Sequence, residues 1–176
     1  MKIMVIGVGK LGSTVAWMIL REVQPTTLIL NDIVDLKGEI LDLQHACKGL
    51  EINTEITTEI EKADYIIITA GYPRTKDEEL YRTKENLDIL FKISENIVPC
   101  LNDNTKIIVM TNPINITTDC MRDWMQNWDV YNPEEELMKM RDGKELGWEI
   151  VKSKGYTNWG PAVSVVKLIK RLEGIN

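Results

Sequence analysis

The sequence predicts an α/β domain in which a doubly wound parallel sheet carries helices on both faces. Two observations predict this class. Short apolar runs alternate with segments whose apolar residues recur at helical spacing, as in strands joined by crossover helices. The runs are apolar at nearly every position, which is typical of strands buried on both faces. The expected strand order is 3-2-1-4-5, with the ligand at the carboxyl ends of strands 1 and 4, where the order reverses.

Each element is predicted from its own run of residues. Five strands are predicted, at 2–7, 27–32, 55–58, 64–70 and 106–111. Four helices accompany them, at 10–22, 36–47, 78–98 and 117–127. A sixth strand is doubtful, because Val130 and Tyr131 can begin one but Asn132-Pro133 stops it. Two further helices are predicted at 134–154 and 162–172, after a loop at 155–161.

Length and composition limit the organisation of the chain. With 176 residues, 44% of them hydrophobic, it can form one domain with a substantial core but not two full domains. We therefore expect a sheet domain over residues 1–131. Residues 132–176 would form a helical appendage that must pack against something.

Charge and cysteine content exclude several function classes. The net charge is −6 and no basic stripe is present, which argues against nucleic acid as the partner. Three widely spaced cysteines form no Cys-x-x-Cys, so neither a zinc knuckle nor a thioredoxin-like motif is predicted. The apolar start is too short for a signal peptide or a membrane span. These features indicate reduced thiols in a cytoplasmic protein, without a metal site.

A glycine-rich turn follows the first strand. Residues Gly7 to Gly12 read G-V-G-K-L-G and match G-x-G-x-x-G, which is a weak signal unless it joins a strand to a helix, as here. Gly7 would permit the tight turn, Gly9 the close approach of a pyrophosphate, and Gly12 close helix–strand packing. The backbone N–H groups of Val8, Lys10 and Leu11 belong to the same anion site. This is the pattern of a Rossmann dinucleotide site.

Asp32 selects among dinucleotides. It lies 20 residues after Gly12, at the end of the second strand. A carboxylate there accepts hydrogen bonds from the adenosine ribose and repels a 2′-phosphate, so NAD is expected rather than NADP. The alternative is that Asp32 merely caps the next turn.

Four segments, the first of which is the glycine turn, carry a resemblance to a known family. They read GVGKLG at 7–12, NDIVDLKGEILDLQHA at 31–46, ITAGYPR at 68–74 and VMTNPIN at 109–115. Over about residues 1–127 the chain resembles the lactate/malate dehydrogenase family, closest to the malate type. A second patch, KSKGYTNWGPAVSVVKLI at 152–169, is similar to the family's helix–loop–helix near the substrate pocket. The appendage would then be a remnant of the family's substrate domain.

The resemblance implies roles for individual residues. Arg74 stands where the family sets substrate specificity, and an arginine there resembles the malate type, because guanidinium pairs with a second carboxylate. An ordinary exposed arginine is its alternative. Asn112 matches the asparagine that contacts substrate and nicotinamide, and its bond to Pro113 would be cis. Thr157 would line the substrate side.

Two more positions match cofactor contacts, and others depart from the family. Asn86 and Met110 are similar to residues that contact the cofactor. The family's catalytic histidine, its aspartate partner and the carboxylate-binding arginine have no counterpart here. The single histidine, His45, matches a histidine that belongs to the family's fold rather than its chemistry. The chain therefore resembles a family member with a large internal deletion and a truncated end.

Other charged residues lie near the Asn-Pro motif, but none is predicted to replace the missing catalytic residues. Asp119, Arg122 and Asp123 are expected to be helix-surface charges. Leu80 occupies the place of the family's second arginine, and Arg82 is a candidate for reaching the substrate if the loop reshapes.

Two functions remain open from the sequence. The first is a poorly active NAD-dependent oxidoreductase of the malate dehydrogenase type, acting on a small 2-hydroxy or 2-keto dicarboxylic acid. The second is a non-catalytic NAD-binding module, or a fragment of such an enzyme. We also expect a homo-oligomer, because the helices at 117–127, 134–154 and 162–172 would lack their usual apolar partners. The alternative is a compact monomer in which the last two helices fold back over the sheet.

Overall fold

The computed structural model describes residues 1–72, 82–139 and 143–175, without the side chains of 143–145. Six parallel strands form one sheet in the order β3-β2-β1-β4-β5-β6. They are β1 (Lys2–Ile6), β2 (Thr27–Asn31), β3 (Glu55–Thr57), β4 (Tyr65–Ile68), β5 (Lys106–Val109) and β6 (Asp129–Tyr131). The predicted fold class and the order of the first five strands are confirmed.

The sixth strand, doubtful from the sequence, is present. It pairs with β5 in parallel, with Val130 opposite Ile107. Asn132-Pro133 does end it, but three residues suffice for an edge strand beside β5. The sequence analysis gave too much weight to Asn132-Pro133, which limits the length of the strand but does not prevent it.

Helices connect the strands and end the chain. They are α1 (Lys10–Glu22), α2 (Lys37–Gly49), α3 (Thr83–Ile97), α4 (Ile114–Trp124), α5 (Glu134–Met138), α6 (Gly143–Lys154) and α7 (Trp159–Glu173). A short 3-10 turn at Val98–Cys100 follows α3. α1 matches its prediction, whereas α4 begins directly after Pro113, three residues earlier than predicted.

Two predictions about the last helices are corrected. α7 begins at Trp159 rather than at 162, because Pro161 lies in its first turn, where no intrahelical N–H bond is lost. The single helix predicted at 134–154 is described as α5 and α6. Residues 140–142 between them lie outside the described residues, as do residues 73–81 of the predicted helix at 78–98.

The core has two layers, one on each face of the sheet. Alternate residues of each central strand point to opposite faces, so that Ile3 and Val5 pack with α1, α2 and α7. Met4 and Ile6 pack in the second layer, which also contains residues of α3 and α4. Each layer is therefore built from the same strands.

α7 belongs to the first layer of this core. Its residues Val165 and Ile169 are fully buried against α1 and the sheet. In α4, Met121 is likewise buried, in the second layer. The expectation that these two helices lack apolar partners is therefore wrong, because the chain itself covers both. The division at residue 131 stays a prediction about the origin of the two parts, which share one core.

The amino ends of the strands are tied by polar side chains. The Tyr65 hydroxyl donates to Glu173 Oε1 at 2.5 Å, and Lys106 Nζ lies 3.3 Å from the same oxygen. Burial, followed by the hydrogen bond to Glu173, raises the pKa of Tyr65. The same hydrogen bond lowers the pKa of Glu173. These contacts fasten the end of α7 to the start of β4.

The cysteines and the helices give two further findings. Cys47, Cys100 and Cys120 are all free, and burial raises the pKa of Cys47 and Cys100. Across residues 1–72, 82–139 and 143–175, no helix has the length and apolar character needed to cross a membrane. The same residues contain no group of three or more His, Cys, Asp or Glu side chains that could hold a metal ion.

Candidate functional site

A cleft of about 880 Å³ opens at the carboxyl ends of the strands. It is bordered by the turn between β1 and α1, the ends of β4 and β5, and the start of α4. Residues of α5, α6, α7 and the loop before α7 form the remaining wall. This is the place predicted from the strand order, next to the point where the connections diverge.

The three motif glycines have different surroundings in the turn. Gly7 has φ +89°, and a Cβ there would press on the backbone of Ala70. A Cβ on Gly12 would overlap the carbonyl oxygen of Gly7. A Cβ on Gly9 would meet no heavy atom within 4 Å, because Gly9 faces the open cleft. Gly7 and Gly12 thus shape the turn, and Gly9 leaves room for a ligand.

The start of α1 has the character of an anion site. Its first turn contains no acidic residue, and the N-cap residue, Gly9, has no side chain that could cap the helix. The Ser13 N–H donates to the Gly9 carbonyl at 2.8 Å, and the N–H groups of the residues before Ser13 in the helix have no intrahelical acceptor. Lys10, Leu11 and Gly12 all line the cleft.

Asp32 lies beside the same turn. Its Oδ2 accepts the N–H of Val8 at 2.5 Å, and its Oδ1 accepts the N–H of Ile33 at 2.6 Å. It therefore both supports the glycine turn and caps the turn after β2, so the capping alternative describes part of its role. Neither Asp32 nor Val8 lines the cleft in its described extent.

The end of β5 brings a second predicted residue to the cleft. The Asn112-Pro113 peptide bond is cis, as the family resemblance implied. Asn112 is exposed and lines the cleft with Met110. Asn86 lies behind it, 1% exposed, and donates from Nδ2 to the Asn112 carbonyl at 2.7 Å. Its Oδ1 accepts the N–H of Tyr72 at 2.7 Å, so Asn86 fastens the chain after β4 to the chain after β5.

The remaining predicted residues are distributed unequally. Thr157 lines the cleft, between Tyr156 and Asn158, which contact Lys10 and Thr14 of α1. Arg82 lies over the ring of Tyr72, with 5.5 Å from Cζ to the ring centre, and Tyr72 borders the cleft. Arg74 and Leu80 lie outside the described residues.

The residues predicted to have no catalytic role lie elsewhere. His45 is exposed on α2, away from the residues that line the cleft. Arg122 Nη1 pairs with Asp119 Oδ1 at 2.9 Å on the surface of α4, and its Nε donates to the carbonyl of Val130.

Sequence reasoning missed several aromatic residues of the cleft. Tyr72, Trp148 and Tyr156 all line it. Tyr156 stands between Lys154 and Thr157 in the second similar patch, and that position was the available signal. Trp148 lies near the middle of α6, where periodicity alone does not separate a site residue from a packing residue.

The cleft fits a dinucleotide. It has space beside Gly9 and free backbone donors for a pyrophosphate, and the Asp32 carboxylate lies next to the same turn, outside the described extent of the cleft. Its volume lies within the usual range for ligand sites, and its far end contains an exposed amide, that of Asn112, for a second polar group.

A family profile matches most of the chain. The family described as lactate/malate dehydrogenase, NAD binding domain, matches residues 1–127. The L-lactate dehydrogenase of Fervidobacterium nodosum is 34% identical over 124 residues, which cover 67% of this chain and 40% of that protein. This chain therefore spans well under half of that relative.

Two comparisons extend beyond residue 127. The malate dehydrogenase of Archaeoglobus fulgidus is 25% identical over 229 positions, covering 97% of this chain and 76% of that protein. The alignment is longer than the 176 residues of this chain, so that relative carries an internal segment without a counterpart here. The structure of the same relative in complex with NADH has a TM-score of 0.82 at 23% identity, covering 97% of this chain and 76% of that one.

Proposed function

The chain belongs to the lactate/malate dehydrogenase family, and from that premise we propose that its cleft binds NAD(H) together with a small 2-keto or 2-hydroxy acid. One observation carries the proposal. The cleft joins the glycine turn at Gly9 to the polar side chains of Asn112 and Thr157, so one continuous space can hold a dinucleotide together with a small polar ligand. NAD supplies the hydride chemistry when bound, and the chain supplies position and charge.

The chain's own residues divide the binding work. The N–H groups at the start of α1 hold the negative pyrophosphate, and Asp32 accepts hydrogen bonds from the adenosine ribose. The side-chain amide of Asn112 faces the cleft and orients the acid near the nicotinamide end. Asn86 holds Asn112 in place through the Asn112 carbonyl rather than touching the ligand itself.

Proton transfer should be the slow step of any reaction in this cleft, because the described residues that line it include no histidine to act as general acid or base. The chain has one histidine, His45, and it is exposed on α2. A positioned general acid or base contributes about 10²–10⁴-fold to rate. We therefore propose an oxidoreductase of the malate dehydrogenase type whose turnover is slower by about that factor than that of a relative with a catalytic histidine.

The acid is proposed to be a dicarboxylate, on the basis of Arg74 in the A-G-Y-P-R motif. A guanidinium there would pair with the second carboxylate of oxaloacetate, which pyruvate lacks. Arg82, over the Tyr72 ring at the border of the cleft, is the second candidate for this contact.

A non-catalytic NAD-binding module is the alternative function. It is favoured by the lack of a histidine in the cleft and by the internal segment that the Archaeoglobus relative has and this chain lacks. In this case NADH binds with ordinary affinity, and the acid neither binds nor reacts.

One experiment separates the two functions. NADH binding is measured by fluorescence titration, and NADH oxidation is followed with oxaloacetate and with pyruvate. The oxidoreductase proposal expects slow oxidation with oxaloacetate, abolished by Asn112→Ala, and loss of the preference over pyruvate in Arg74→Gln. Asp119→Asn, on the surface of α4, is the matched control. NADH binding without any acid-dependent oxidation would establish the binding module instead.

We also propose that the protein is cytoplasmic and forms a homo-oligomer. Its cysteines are all free thiols, and Met138, Leu146 and Trp159 are exposed apolar residues of the C-terminal helices. Sedimentation at micromolar concentration tests the assembly, and a single species near 20 kDa would contradict it.

A further inference from the structure

The side chain of Lys10 crosses from the glycine turn to a ring in the C-terminal part of the chain. Its Nζ lies 4.1 Å from the ring centre of Tyr156, a cation–π contact. Lys154 Nζ lies 4.5 Å from the centre of the same ring. Lys10 and Tyr156 both line the cleft, so this contact lies directly beside the turn.

The segment that carries Tyr156 is fastened to α1. Lys154 Nζ donates to Asn158 Oδ1 at 2.6 Å, and Asn158 Nδ2 donates to Thr14 Oγ1 at 2.9 Å. Asn158 is 8% exposed and Thr14 is also buried, so this link is shielded from water. Thr14 lies one turn into α1, and the ring of Tyr156 is therefore held at a fixed position relative to the glycine turn.

The charges at this place are unbalanced. The two ammonium groups on one ring are closer together than a Debye length of about 10 Å, so their repulsion is only partly screened. Neither forms an ion pair with a carboxylate in the described parts of the chain. The first turn of α1 adds partial positive charge and contains no acidic residue. An anion between these groups would remove the repulsion.

We propose that the Lys10 ammonium binds the pyrophosphate of the dinucleotide and that Tyr156 is the positioning residue that holds it there. Lys154 and Asn158 fix the ring, and Lys154 adds its charge at longer range. The inference rests on the proposed binding of NAD(H) and deepens it. It gives the segment 154–158, which lies outside the family's matched NAD-binding region, a part in cofactor affinity.

The test compares ligands with and without a diphosphate. Dissociation constants for NADH, ADP-ribose and adenosine are measured for the whole chain and for Lys10→Met, Tyr156→Leu and Tyr156→Phe. Lys152→Met is the matched control. It removes the same charge from a similar cation–π contact, the one between Lys152 and Trp148 on α6. Unfolding of each variant is measured alongside.

Lys10→Met is expected to weaken the binding of NADH and of ADP-ribose about tenfold, which is the effect of losing one charge-assisted hydrogen bond. It should also reduce the salt dependence of NADH binding. Tyr156→Leu should weaken the binding of both ligands about threefold to fivefold. Tyr156→Phe should bind them nearly as well as the original chain, because the ring is retained. Adenosine binding and all affinities of Lys152→Met should stay within about twofold of the original.

Three outcomes would overturn the inference. Unchanged NADH affinity in Lys10→Met refutes the pyrophosphate contact while leaving the proposed function intact. If Lys10→Met weakens the binding of adenosine and of ADP-ribose equally, the substitution distorts the site in general and Lys10 does not contact the phosphates. Absence of NADH binding in the original chain refutes the proposed function and this inference together.

Discussion

The two ends of the sheet use their polar groups in opposite ways. At the amino ends, side chains and backbone are bonded to one another: Tyr65 to Glu173, the Lys2 N–H to Asp64 at 2.8 Å, and Thr105 to the Ala63 carbonyl at 2.7 Å. At the carboxyl ends, the first N–H groups of α1 and the side chain of Asn112 face a cleft.

This difference separates the groups that hold the fold from those available to a ligand. A bonded donor at the amino end is satisfied whether or not a ligand is present. The first N–H groups of α1, at the carboxyl end, have no intrahelical acceptor and gain their best partner only when an anion arrives, so they contribute to binding. Substitutions at the first end should therefore change the free energy of unfolding, and substitutions at the second should change affinity.

The largest effect is expected at Gly12, which both shapes the fold of the turn and lines the cleft. In Gly12→Ala the new Cβ overlaps the Gly7 carbonyl oxygen, so the turn must shift. We expect a loss of about 3 kcal/mol in unfolding free energy, at the upper end of overpacking costs, together with loss of NADH binding. Urea unfolding and fluorescence titration measure the two quantities.

Gly9→Ala is the matched variant that separates the two effects. Its Cβ meets no protein atom, so stability should change by less than about 1 kcal/mol, while NADH affinity falls at least about tenfold. If Gly9→Ala binds NADH as well as the original chain, the pyrophosphate does not approach the turn as proposed.

Asp32→Ala is expected to have the next largest effect, on cofactor choice. Loss of hydrogen bonds to a charged group should cost NADH binding about 1.5–3 kcal/mol. NADPH, which gains nothing from the carboxylate, should lose less, so the preference for NADH shrinks. Competition titrations with both cofactors measure the ratio. Because Asp32 also accepts the Val8 N–H, unfolding is followed in parallel. A preference that survives the substitution would assign Asp32 to capping alone.

Glu173→Gln addresses the amino end and should reduce stability by about 1 kcal/mol at pH 7, since the carboxylate is partly exposed. The hydrogen bond from Tyr65 lowers the pKa of Glu173 below its ordinary value of 4.5. Its stabilisation is therefore present above pH 4.5 and is lost as the pH falls through the lowered pKa. Chemical unfolding between pH 7 and pH 3 should show less acid destabilisation in the variant, with NADH affinity unchanged at pH 7.

The smallest effect is expected at Asp119, on the outer surface of α4. Its pair with Arg122 is exposed on both sides, so Asp119→Asn should change the unfolding free energy by less than about 0.5 kcal/mol. NADH affinity and oxidation with oxaloacetate should be unchanged. A clear loss of oxidation would mean that this helix takes part in the chemistry, contrary to its assignment here.

Local patterns predicted the central sheet because its strands are apolar runs bounded by glycine and charge. The glycine turn, Asp32 and Asn112 could be located because each follows a strand and carries a recognisable motif. Periodicity did not predict that α7 packs into the core. It shows that one face of the helix is apolar, but it does not show which other surface covers that face. Tyr156 escaped notice for a related reason: its contact with Lys10 joins residues 146 positions apart, and no local pattern records such a contact.

Trp148 gives the molecule an internal optical signal. Its indole borders the cleft on α6. Indole emission overlaps the absorption of reduced nicotinamide, so excitation of tryptophan should pass to NADH bound beside it and appear as cofactor emission. Trp148→Phe should reduce this energy transfer, with the remainder coming from the other four tryptophans of the chain. The difference between the two chains then reports how close this indole lies to the bound cofactor, without any added label.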